Sequence, residues 1–131
     1  MAQQGEIGPA APFFIVTDLS AALAHYVGGL GFACLVSAPD EAPFFAMVGR
    51  GAARLMLKQV APDLRPVPNP SLHPWAPWDA FIFSAEPDDL AAEFAARGVA
   101  LAGGPATRDD GLRGFEVADP DGHVLFFGRP V

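Results

Sequence analysis

Phe115-Glu116-Val117-Ala118-Asp119-Pro120-Asp121-Gly122-His123-Val124-Leu125-Phe126-Phe127-Gly128 places two apolar runs around four turn-forming residues. Proline presets φ for a turn, glycine accepts positive φ, and aspartate bonds its own backbone. Phe115–Val117 and Val124–Phe127 therefore read as the strands of a hairpin, and Asp119–Gly122 as turn chemistry rather than a calcium loop. Upstream, Gly103-Gly104-Pro105 breaks the chain. Leu90, Ala91 and Phe94 form the apolar face of a helix begun by Pro87 and closed by Gly98-Val99. Ala80–Glu86 is the strand before it. The same order, strand, helix, strand, hairpin, already stands in residues 12–58. Pro12–Asp18 opens it, and Asp18 is a good N-cap. Leu19, Leu23, Val27 and Leu30 follow at helical spacing, Gly28-Gly29 frays the end, and Gly31-Phe32 closes it. Phe32–Val36 is a strand; Phe44–Val48 and Ala53–Leu57 flank Gly49-Arg50-Gly51 as a hairpin. Tyr26 falls opposite Phe94, with one residue lost before the glycines in the second half.

A repeat of about 60 residues makes a thin core alone, so the two halves must build one structure. The expectation is a single domain over 1–131: a first module at about 11–58, a linker at 59–77 and a second module at about 78–129. A cleft between two half-sheets follows naturally. The linker holds six prolines and also His73, Trp75 and, at its end, Trp78. Long loops in compact domains are usually functional or disordered, and two tryptophans are costly in water. The loop is expected to lie over the cleft.

The net charge of −7 argues against a nucleic-acid partner, whose phosphates need Lys and Arg. No apolar run approaches membrane-spanning length. The start, read as a loose leader over 1–9, lacks the basic and apolar regions of a signal peptide, so the expected compartment is the cytoplasm. Cys34 is the lone cysteine, cannot form an internal disulfide, and is expected to be a packed thiol. There is no Gly-x-Ser-x-Gly, phosphate loop or dinucleotide fingerprint. His25 reads as a mid-helix surface or packed residue, and His123 as a structural residue at the hairpin rim.

Val16-Thr17-Asp18-Leu19 leading to Leu30-Gly31-Phe32, together with the Phe115–Gly128 hairpin, resembles the vicinal oxygen chelate superfamily of glyoxalases, bleomycin-resistance proteins and extradiol dioxygenases. The match runs over about residues 11–129. It implies an α+β fold of two βαβββ modules forming curved mixed sheets around a cleft, with helices on the outer face, and commonly a homodimer. The family's catalytic members hold a metal at four strand positions. Carried over, these are Ala11, a position at or near Met56, Asp79 and Phe126. Three of the four have no N, O or S⁻ ligand, and one carboxylate does not hold Zn²⁺, Fe²⁺ or Mn²⁺. The resemblance is therefore to the metal-free, bleomycin-resistance-like branch, with no cofactor expected.

Side chains alternate along a strand. If those four positions face the cleft, so do Phe13, Ile15, Arg54, Lys58, Phe81, Phe83 and Val124, and Glu116 by the same parity. Phe14, Val16, Leu55, Leu57, Ile82, Leu125 and Phe127 then pack under the helices. The candidate ligand-binding residues are Phe13, Ile15, Arg54, Met56, Lys58, His73, Trp75, Trp78, Asp79, Phe81, Phe83, Glu116 and Phe126. The expected function is binding of a small, partly aromatic or cationic molecule in an apolar cleft, sequestration of a drug being the best-known form. The alternative is an enzyme of the same superfamily, a lyase, isomerase or dioxygenase. It would use Asp79, His73 or Glu116 with or without a metal.

Overall fold

The computed structural model describes residues 4–131, so the first three residues of the expected leader lie outside the described residues. The chain forms two four-stranded mixed sheets. The first contains β1 (Phe13–Val16), β2 (Ala33–Ala38), β3 (Phe45–Arg50) and β4 (Ala53–Gln59), in the order β1-β4-β3-β2. The second contains β5 (Ala80–Phe83), β6 (Gly103–Thr107), β7 (Leu112–Ala118) and β8 (Val124–Pro130), in the order β5-β8-β7-β6. In each sheet the first and last strands pair in parallel, Phe13 beside Met56 and Phe81 beside Phe126, and the other pairs are antiparallel. The repeat in the sequence is thus a repeat of topology, and the fold is α+β.

Alternation decides what each sheet buries. Phe14, Val16, Leu55 and Leu57 of the first sheet join Phe115, Val117, Leu125 and Phe127 of the second in one core cluster, with Ile82 packed against it. Phe13, Ile15, Met56 and Lys58 take the opposite parity and stay partly or largely exposed. The split expected from the sequence holds because an apolar side chain gains roughly 1.5–3 kcal/mol only on the buried face.

The two helices account for the repeat's one mismatch. In the first module α1 (Leu19–Leu23), capped by the Asp18 carboxylate on Ala21 N, widens into a π-helical segment over Ala24–Gly29. The expected single α-helix over this span is therefore corrected. In the second module a longer helix (Pro87–Ala96) stays α-helical. Tyr26 precedes the positive-φ Gly31 by five residues and Phe94 precedes the positive-φ Gly98 by four. A π-turn is the helical way to hold one extra residue.

Each module's helix bonds to the other module's hairpin. Tyr26 donates its hydroxyl to Asp119 at 2.8 Å. The Arg50 guanidinium, at the tip of the β3–β4 hairpin, makes two 2.8 Å bonds to Glu93 and lies over the Phe94 ring. Thr17 Oγ1 bonds Asp121 at 2.7 Å, and the His123 ring stacks on Phe14.

Three local expectations are corrected. Gly103-Gly104-Pro105 does not interrupt structure but lies in β6, an edge strand whose register shifts between Gly103 and Ala106. An edge tolerates proline because its missing N–H faces no partner strand. The linker is not featureless: Asn69–Leu72 form a one-turn helix, α2, followed in the chain by the Pro87–Ala96 helix, α3. Cys34 is exposed rather than packed, because β2 is an edge strand with all six residues open to solvent.

Candidate functional site

The second sheet carries a paved aromatic face. Phe126 lies at its centre, 1% exposed. Its ring sits where β-carbons at Gly114 and Gly128 would come within 2.6 and 2.5 Å of it, so the two glycines form its bed. Trp78 packs on Phe126 at 4.5 Å between ring centroids, Phe81 on Phe126 at 5.1 Å, and Phe83 on Phe81 at 4.8 Å. Phe83 is 77% exposed, so the paving opens to solvent at one edge. The indole Nε1 of Trp78 is buried with no hydrogen-bond partner. A donor held this way costs about 1–3 kcal/mol until an acceptor arrives.

The first sheet presents a looser counterpart. Phe13 and Phe45 pack at 6.3 Å beside Ile15, Met47 and Met56, and the Lys58 ammonium lies over the Phe44 ring at 5.3 Å.

The polar candidates are mostly engaged in holding the chain together. Asp79 accepts from the backbone N–H of Asn69 at 2.7 Å with one oxygen and of Val124 at 2.8 Å with the other. It thus ties the linker and β8 to the start of β5. Arg54 donates to the carbonyls of Gly51 and Ala53 and braces the β3–β4 turn. His73 accepts from Trp75 N at 3.1 Å, and the two rings pack edge to face. Trp75 is 89% exposed, so the expectation that it covers the site is corrected in this chain. Trp75 lies in a turn of the linker and stands in solvent, while Trp78, beside the bonded Asp79, packs on Phe126. Glu116 lies beside Phe126 in the register and faces the Arg108 guanidinium at 3.5 Å.

Six of the candidate residues fall into two cavities. A cavity of about 750 Å3 brings Arg54, Phe81 and Phe83 together with Arg50, Leu90 and Phe94. A second, of about 570 Å3, joins Phe13, Ile15 and Asp79 to His123 and linker residues 64–67. Met56, Lys58, His73, Trp75, Trp78, Glu116 and Phe126 line neither. Both volumes lie in the range of ligand pockets.

Sequence reasoning missed two features. Arg108 stacks over Trp78 at 4.9 Å and over Phe126 at 5.7 Å. It stands in a polar loop of the sequence, and only folding brings it onto the aromatic face. The second is the buried trio Tyr26, Asp119 and His123. His123 Nδ1 lies 2.9 Å from the same Asp119 oxygen that accepts from Tyr26. Burial pulls His123 down, but its hydrogen bond to Asp119 and that carboxylate's charge outweigh burial and leave it raised. Burial would push Asp119 up, yet the bonds from His123 and Tyr26 hold it below the usual carboxylate range. Burial first, and then Asp119, drive Tyr26 well up, so it stays a donor.

Two folded halves of this kind, joined in this order, define a class, and the sequence agrees with the geometry. The model of the Glyoxalase/Bleomycin resistance protein/Dioxygenase superfamily matches residues 7–127, and the chain belongs to that superfamily. No curated protein sequence matches. Among solved structures it is similar to TioX from Micromonospora sp. ML1, with 18% identity and TM-score 0.72 over 97% of this chain and 100% of that one. It is similar to TnmS3, an antibiotic binding protein from Streptomyces sp. CB03234, with 23% identity and TM-score 0.67 over 97% and 100%. The bleomycin-binding protein of bleomycin-producing Streptomyces verticillus, solved with copper(II)-bleomycin, shows 24% identity and TM-score 0.66 over 95% and 97%. At these identities the likeness is one of fold.

The metal of the superfamily's catalytic members does not fit these residues. Ala11, Met56 and Phe126 offer no ligand, and both oxygens of Asp79 are committed to backbone N–H groups. Among the described residues no three His, Cys, Asp or Glu side chains converge. Among them, too, no helix is long and apolar enough to cross a membrane.

Proposed function

We propose that this protein binds and sequesters a small molecule with a planar aromatic part, without a metal, on the face built by Trp78, Phe81, Phe83 and Phe126. The paving itself carries the reading: Trp78, Phe81 and Phe126 pack on one another and Phe83 extends them from Phe81 into solvent, with a buried indole donor lacking an acceptor. Stacking on such a face gains area burial and an aromatic-pair term of about 0.5–1.5 kcal/mol. The antibiotic-binding and bleomycin-binding proteins that share the fold support small-molecule binding. A second copy of the chain closes the site, because Phe13, Phe44 and Phe83 stand largely exposed on the single chain. The enzymatic alternative has less support, since Asp79 is consumed by backbone bonds and His73 by its own loop.

The test is calorimetric titration of planar aromatic antibiotics and dyes into the parent protein and Trp78→Ala. Loss of the anchor ring is expected to weaken binding by about 1–3 kcal/mol, and Trp75→Ala to leave it nearly unchanged. Equal affinity for parent and Trp78→Ala, with both folded, would overturn the reading. Elemental analysis of protein purified without chelator is expected to find no stoichiometric transition metal.

A further inference from the structure

The aromatic face is already occupied. The Arg108 guanidinium, a planar cation, lies over the indole of Trp78 and the ring of Phe126 at 4.9 and 5.7 Å. Two carboxylates accompany it: Asp110 accepts from its Nε at 3.1 Å, and Glu116 stands 3.5 Å from Nη1. An aromatic floor with carboxylates beside it is what a planar cation needs: a face with negative quadrupole and a counter-charge at its edge.

The strength of Arg108's hold decides whether it is a fixture or a placeholder. Its side chain is 35% exposed, that of Asp110 46% and that of Glu116 29%, so both ion pairs are screened by water. Exposed pairs of this kind contribute little. Arg108 directly follows β6, at the edge of the sheet, where its backbone rather than its side chain is bonded to Leu112 and Gly111. A ligand that brings its own positive charge can replace it at small cost. A planar anion meets Glu116 and Asp110 as soon as Arg108 leaves.

Resting on the ligand-binding reading above, we propose that Arg108 is an intramolecular occupant of the site. It holds the place over Trp78 and Phe126 that a planar aromatic cation takes, and Glu116 then becomes that cation's counter-ion. The class of ligand is thereby narrowed from planar aromatic to planar aromatic and cationic. Arg108 sets affinity by competition.

Proflavine, a planar cation, and 9-anthracenecarboxylate, a planar anion, serve as calorimetric probes for the parent protein, Arg108→Ala, Arg108→Gln and Glu116→Gln. Each variant is first confirmed folded by its thermal unfolding. Both Arg108 variants are expected to bind proflavine between about twofold and thirtyfold more tightly than the parent, the span of one cation–π contact released. Glu116→Gln is expected to bind it more weakly, and the anion to bind less well than proflavine throughout. If the Arg108 variants bind proflavine no better or more weakly, Arg108 is a contact and the occupant proposal falls while ligand binding stands. Tighter binding of the anion by the parent overturns the choice of cation. If neither probe binds the parent or either Arg108 variant, the ligand-binding reading falls with it.

Discussion

Asp79 divides its carboxylate between the linker and β8. Its sequence position, the start of an apolar strand at a spot to which the superfamily resemblance carries a metal ligand, makes it a candidate site residue. Its bonds to Asn69 and Val124 make it a clasp. Asp79→Asn removes one acceptor and sets an amide N–H against a backbone N–H. The expected result is a loss of about 1–3 kcal/mol of stability in denaturant titration, with affinity for a planar ligand kept. A loss of affinity at unchanged stability would restore a ligand-contact role. His123 lends itself to a pH test. Its folded-state value is raised above its ordinary 6.5, so its contribution is fully present below pH 6.5 and lost as pH rises through the folded value. Asp119, lowered from 3.8, contributes above that pH and loses its share as pH falls through its folded value. The pair is therefore strongest between about pH 4 and 6.5. His25 tilts the other way, since burial lowers it, and Asp79 and Asp121 add charge toward His123. The clean readout is the difference in unfolding midpoint between the parent and His123→Gln. It is expected to shrink from pH 6 to pH 8.5. A constant difference would mean that folding leaves the His123 value unshifted.

At the scale of elements, the aromatic face depends on two residues without side chains. Gly114 and Gly128 are cross-strand partners in β7 and β8, and Phe126 lies over both. A β-carbon at Gly114 would also come 2.3 Å from the Phe127 carbonyl oxygen, which is backbone and cannot step aside. Gly114→Ala is expected to destabilise the protein by about 1–3 kcal/mol, the usual scale of overpacking. It should also lift Phe126 and Trp78 enough to weaken ligand binding in the same preparation. Unchanged stability and affinity would show that the ring does not rest there. The π-helical segment works in the opposite sense, as an insertion rather than a deletion. It absorbs one residue and lets Tyr26 bury completely while reaching Asp119.

For the whole molecule, the distribution of exposed apolar side chains matters more than any single contact. Leu35, Val36 and Phe44 on the β2 side and Phe13 and Phe83 elsewhere leave large apolar groups in water on a chain that is half hydrophobic. Patches of this kind mark interfaces. Sedimentation at micromolar concentration is expected to give twice the chain mass of 13.7 kDa, and a mass of one chain at high concentration would reject the second copy. Cys34 lies on the same exposed strand, so its accessibility to a thiol reagent should fall on dimerisation if β2 is covered.

The sequence by itself determined the two-module order, the strand parities and the Asp119–Gly122 turn. These are set by local rules: alternation along a strand, helical spacing, and the φ preferences of proline and glycine. Alternation alone separates Phe14 and Leu57 from Phe13 and Lys58, and the superfamily resemblance supplied which set faces inward. Packing decided the rest. Arg108 is polar, in a loop, thirty residues from Trp78, and nothing local records that it stacks there. Asp79 and a ligand-binding aspartate look identical until the backbone N–H groups of Asn69 and Val124 are placed. Trp75 and Trp78 are three residues apart in one proline-rich segment, yet one ring is in water and the other lies on Phe126. Local propensity is a property of neighbours in the chain, whereas each of these roles depends on neighbours in space, which only the closed structure supplies.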